Sequence, residues 1–81
     1  MTIYRSREQI MSQILNSVWE EKKKITALIF DCRLSYAQAC QYLNTMLGMG
    51  LLRENEDRLI SITPEGTKMK NILDKLFGEK K

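Results

Sequence analysis

The 81-residue chain has no histidine, one proline, two cysteines and no apolar run longer than five residues. Each absence excludes something. Without histidine there is no imidazole to serve as a general base near neutral pH. Two cysteines cannot complete a tetrahedral zinc site unaided. The short apolar runs exclude both a membrane-spanning helix, which needs about 20 predominantly apolar residues, and a signal peptide. Pro64 is the single proline, and no repeat, low-complexity stretch or linker interrupts the chain. The expectation is a cytoplasmic protein that is not an enzyme and uses no metal or cofactor.

What is present fits one small globular domain over residues 1–81, with 43% hydrophobic and 28% charged residues. A chain this short is near the lower limit for burying a stable core alone, so a partner subunit is a live option. Thirteen Lys and Arg against ten Asp and Glu leave a net charge of +3. That charge permits nucleic acid as a partner without demanding it.

Helical signals come first. Ser6 and Gln9 form a capping box, followed by Ile10, Ile14, Leu15, Val18 and Trp19 on one stripe, so the first helix is expected over residues 6–21. The run Glu20-Glu21-Lys22-Lys23-Lys24 is expected to fray into a connector. Residues 25–31 have a strand-like composition, but a second capping box at Ser35 and Gln38 argues otherwise. That box opens an apolar pattern at Ala39, Leu43 and Met46, closed by Gly48 and Gly50. A short helix, the turn Cys32-Arg33-Leu34 and a helix over 35–48 make a helix-turn-helix. The period then changes. Leu51–Glu54 and Arg58–Ile62 read as two strands around Asn55-Glu56-Asp57, a hairpin. Thr63 caps a last helix over 64–78 with Pro64 at its first position and a seam of Met69, Ile72, Leu73, Leu76 and Phe77. The fold class is mainly α with a small β-hairpin (α+β), in the order helix-helix-helix-hairpin-helix.

That order is the winged helix-turn-helix. The segments Tyr4-Arg5-Ser6-Arg7, Leu34-Ser35-Tyr36-Ala37-Gln38, Leu43, Gly50-Leu51-Leu52 and Thr63-Pro64-Glu65-Gly66 resemble the small archaeal winged-helix predicted transcriptional regulators. That group includes small DNA-binding proteins of Sulfolobus. The resemblance covers nearly the whole chain. It implies binding of double-stranded DNA through the second helix of the motif, and a homodimer joined through the C-terminal helix.

The residues themselves support two readings. If Ala39, Leu43 and Met46 face the core, then Ser35, Tyr36, Gln38, Gln41, Tyr42 and Thr45 face outward, where glutamine can pair with adenine and Tyr or Thr can touch phosphate or a thymine methyl. No residue from 34 to 52 is charged, so affinity is assigned to the flanks: Arg5, Arg7, Lys24, Arg33, Arg53 and Arg58. Arg5 and Arg7 bracket a helix start, where positive charge opposes the helix dipole and a nearby phosphate would relieve it. The alternative is a winged-helix module that docks protein and no DNA, favoured by the uncharged helix and by Glu54, Glu56 and Asp57 at the hairpin tip. Those carboxylates are open to water and form no catalytic pair. Trp19 and Phe30 are expected in the core, Cys40 as small apolar packing, and Cys32 as a partly exposed thiol. Met69, Ile72, Leu73, Leu76 and Phe77 are the expected dimer seam.

Overall fold

A computed structural model describes residues 5–77. The elements are α1 (Arg7–Glu20), α2 (Ile25–Cys32), α3 (Tyr36–Gly48), β1 (Leu52–Glu54), β2 (Ile60–Ile62) and α4 (Pro64–Phe77), in the expected order. Both capping boxes form reciprocally. The Gln9 N–H donates to Ser6 Oγ at 3.1 Å while the Ser6 N–H donates to Gln9 Oε1 at 2.8 Å. Ser35 and Gln38 repeat this at 3.1 Å in both directions.

The turn between α2 and α3 is tighter than its composition favours. Arg33 takes the left-handed conformation (φ 56) that usually falls to glycine, at a cost of about 1–2 kcal/mol. Its N–H and that of Leu34 both donate to the Ile29 carbonyl. A distant side chain fastens the turn: the Arg5 guanidinium donates to the carbonyls of Cys32 and Arg33, and to Gln13 Oε1 at 2.6 Å. At the far end of α3 a true glycine does the same job. Gly50 (φ 78) lets its N–H reach Leu47 and that of Leu51 reach Met46.

The hairpin is antiparallel, pairing Leu52 with Ile62, Arg53 with Ser61 and Glu54 with Ile60. Its strands are shorter than expected. Arg58 belongs to the turn, with φ 64, and the Asn55 Oδ1 accepts the N–H groups of Asp57 and Leu59 at 2.8 and 3.0 Å. The segment expected to fray instead docks on the sheet. Lys23 exchanges both backbone hydrogen bonds with Ile60, at 3.0 and 2.7 Å, adding one rung beside β2.

One core unites these elements: Ile10, Ile14, Leu15 and Val18 of α1 meet Leu28, Cys32, Leu34, Ala39, Leu43, Met46, Leu51, Leu52, Ile60 and Leu73. Burying each large aliphatic chain is worth about 1.5–3 kcal/mol. The start of α4 lies against the turn that follows α3. Thr63 Oγ1 donates to the Gly50 carbonyl and accepts the Gly66 N–H at 3.0 Å. Gly66 itself must be glycine, because a Cβ there would stand 2.1 Å from the Leu51 carbonyl oxygen.

Three expectations are corrected. Phe30 is 85% exposed, because Leu28 and Cys32 are the inward residues of α2 and a residue two places on from Leu28 lies on the opposite face. Trp19 is half-exposed at the rim of α1, its ring under the Lys70 ammonium at 4.9 Å. The two thiols exchange roles: Cys32 is buried, one turn after Leu28, while Cys40 is half-buried one turn after the exposed Tyr36, and both are free.

Candidate nucleic-acid interface

Helix α3 buries Ala39, Leu43 and Met46, so the face opposite is available. A row of Ala37, Gln41, Asn44 and Gly48 runs along its middle, with Gln38 and Thr45 beside it, all exposed. Asn44 is absent from the sequence-based assignment, although it sits three residues after Gln41 and helical phase alone puts it on that face. Other members of that assignment are re-cast. Tyr42 is half-buried against the core. Ser35 and Gln38 are exposed, but the capping box occupies the Ser35 hydroxyl and the Gln38 carbonyl oxygen, leaving the Gln38 amide N–H₂ to face outward. The side chains of Gln41, Asn44 and Thr45 make no hydrogen bond to any described residue.

Cations stand on both sides of this neutral strip. Arg7, from the first turn of α1, lines a shallow depression with Gln41, Tyr42 and Thr45. On the other side a cleft of about 360 Å³ separates α3 from the hairpin. Lys24 and Arg58 line it together with Tyr36, Asn44 and the carboxylates Glu54 and Asp57. The neighbouring Cys40 thiol raises the Tyr36 hydroxyl above its ordinary pKa, and the Arg58 charge opposes that shift. Arg33 and Arg53 are also exposed, at the turn before α3 and on β1. Arg5 does not join them. Its guanidinium is engaged by the two carbonyls that end α2, which relieves its charge internally without a phosphate.

A neutral helix between cations, followed directly by a hairpin with an added rung, matches a known pattern in sequence as well. The sequence profile of the winged helix-turn-helix family matches residues 4–81. The chain belongs to the winged helix-turn-helix family. Solved structures with this fold include the transcriptional regulator BldR from Sulfolobus solfataricus, at TM-score 0.78 and 16% identity over 85% of this chain and 54% of that one. The DNA-binding protein Sso10a-2 from the same organism is similar at TM-score 0.76 and 28% identity, over 93% of this chain and 80% of its own. ZitR of Lactococcus lactis superposes at TM-score 0.75 with 13% identity, over 93% of this chain and 52% of its own. The chain thus spans about half the length of BldR and ZitR. The likeness to small archaeal winged-helix proteins holds. No protein of curated function matches the sequence significantly.

In this winged helix the wing tip carries Glu54, Glu56 and Asp57, all exposed. Lys23 is engaged elsewhere: its ammonium lies 2.7 Å from the Asp31 carboxylate and 3.0 Å from Ser17 Oγ, which keeps Asp31 ionised below the usual carboxylate range. Burial pushes the Cys32 thiol up to about 11, so it stays protonated at neutral pH. Among the described residues no cluster of His, Cys, Asp or Glu could hold a metal, and no helix is long and apolar enough to cross a membrane. On α4 the seam divides. Leu73 is buried in the monomer's own core, Met69 and Phe77 are half-buried beside it, and Ile72 and Leu76 face outward at 59% and 69% exposure.

Proposed function

We propose that this protein is a DNA-binding transcriptional regulator of the cytoplasm that lays α3 in the major groove of duplex DNA. One observation carries the reading: an uncharged polar face on α3 with cations on both sides, Arg7 on one and, on the other, Lys24 and Arg58 in a cleft they share with Glu54 and Asp57. The neutral face reads base edges; the cations neutralise phosphates and supply affinity. The kinship with Sso10a-2, a DNA-binding protein, supports this. Arg33 and Arg53 extend the phosphate contacts. Titration of random duplex DNA at two salt concentrations tests the reading. Neutralising four phosphates gives a log–log slope of about −3.6, at roughly −0.9 for each. Undetectable binding at low salt discards it.

The same reading includes a homodimer through α4. Ile72 and Leu76, flanked by Met69, are the apolar groups left open on that helix, and a second copy supplying the same strip covers them. A second function is favoured by one specific observation. The three exposed carboxylates at the wing tip would repel a phosphate backbone, and they suit a basic protein surface instead.

A further inference from the structure

We infer that α3 selects adenine–thymine base pairs, a specificity that rests on the DNA-binding reading above. Gln41 and Asn44 are the two amide side chains of the exposed face with both polar ends uncommitted. An uncommitted amide matches adenine in the major groove: its N–H₂ donates to N7 while its carbonyl oxygen accepts from the N6 amino group. Guanine reverses the second contact, since its O6 would meet the amide oxygen as another acceptor.

What the strip lacks sharpens the choice. The commonest guanine contact is a bidentate Arg or Lys, and the side chain that accepts from the cytosine amino group is Asp or Glu. From Leu34 to Leu52 the chain has none of the four. The cations beside the strip come from other elements, Arg7 next to Gln41 and Thr45, and Lys24 and Arg58 next to Asn44, and the reading above assigns them to phosphates. Thymine is favoured by the methyl groups of Ala37 and Thr45, which flank the amides on the same face. The spacing agrees. Gln41 and Asn44 are about 4.5 Å apart along the axis, near one base step, and Ala37 to Thr45 spans about 12 Å, or three to four base pairs.

The test uses the full chain and duplexes of equal length whose central four pairs are either A·T or G·C, titrated at one salt concentration. A·T is expected to bind at least about tenfold more tightly. Gln41→Ala and Asn44→Ala should each narrow that ratio, weakening binding to the A·T duplex more than to the G·C duplex. Replacing the central adenines with 7-deazaadenine removes N7 but keeps base pairing and the minor groove, and should abolish most of the preference. Equal binding to the two duplexes, or a preference that survives 7-deazaadenine, overturns the inference while leaving DNA binding intact. No binding to either duplex defeats the DNA-binding reading itself.

Discussion

Along the contact between α1 and α4, polar groups are paired off inside the molecule. Asn16 donates to Asp74 at 3.0 Å, Lys70 reaches the other oxygen of that carboxylate at 2.9 Å, and the Lys70 ammonium lies over Trp19. Across α3 and the wing the opposite holds. The side chains of Gln41, Asn44, Thr45, Arg7, Lys24, Arg53 and Arg58 have no hydrogen-bond or ion-pair partner among the described residues. The difference is whether folding consumed these groups, and unconsumed ones are what an external partner can recognise.

Substitutions that act on one region and spare the other can break this contrast. The largest effect falls on α4. Leu73→Ala should cost about 2–5 kcal/mol, read from urea unfolding, because it empties a core site. Leu76→Asp, one turn outward, should leave the monomer's stability nearly unchanged. It should instead shift a dimer to monomer in sedimentation at tens of micromolar if α4 forms the subunit contact. A monomer before and after the change would discard that contact.

Arg5 and Arg7 sharpen the comparison within two residues. Arg5→Ala should destabilise by about 1–2 kcal/mol, since it strips partners from the α2–α3 turn. Arg7→Ala should stay within about 0.5 kcal/mol in stability. It should lower DNA affinity and reduce the salt slope by about 0.9. Matching effects from both would erase the distinction between a clamp and a contact.

Arg58→Gly should separate folding from binding in a single variant. Glycine relieves the left-handed backbone, raising stability by about 1 kcal/mol, while the loss of the cation weakens DNA binding. A gain in stability with no change in binding would remove Arg58 from the interface.

The smallest effect concerns Asp31. Its carboxyl is held below the ordinary value of 3.8, first by the Lys23 hydrogen bond and then by Ser17. A depressed value in the folded state contributes stability that is fully present above the unfolded value and is lost as the pH falls through the folded value. Asp31→Asn should therefore flatten the loss of stability between about pH 5 and about pH 3, measured by urea midpoints. An unchanged slope would show that the pair has no net effect.

Much of the fold was legible because it is written in neighbouring residues. Both Ser-x-x-Gln boxes, the glycine that ends α3 and the proline that opens α4 are local devices, and each forms as expected. The face of α3 was legible too, through the spacing of Ala39, Leu43 and Met46, and the same phase would have found Asn44. Phe30 misled because aromatic character was weighed above phase. Arg5 and Lys23 were beyond reach for a different reason. The backbone groups they hold lie 27 or more residues away, at Cys32 and Ile60, and nothing local announces such a pairing.

Thr63 carries a consequence for distance. Its hydroxyl touches the turn that follows α3 through the Gly50 carbonyl and the first turn of α4 through the Gly66 N–H, with its own N–H on Leu51 at 3.1 Å. Gly66 lets α4 close to backbone contact with Leu51, three residues beyond the end of α3. The joint is therefore short and has no slack. In a pair of subunits joined through α4, the separation of the two α3 helices would be set there, as by a ruler with a fixed corner. The number of base pairs between two half-sites would then be written in one threonine and one glycine that touch no DNA.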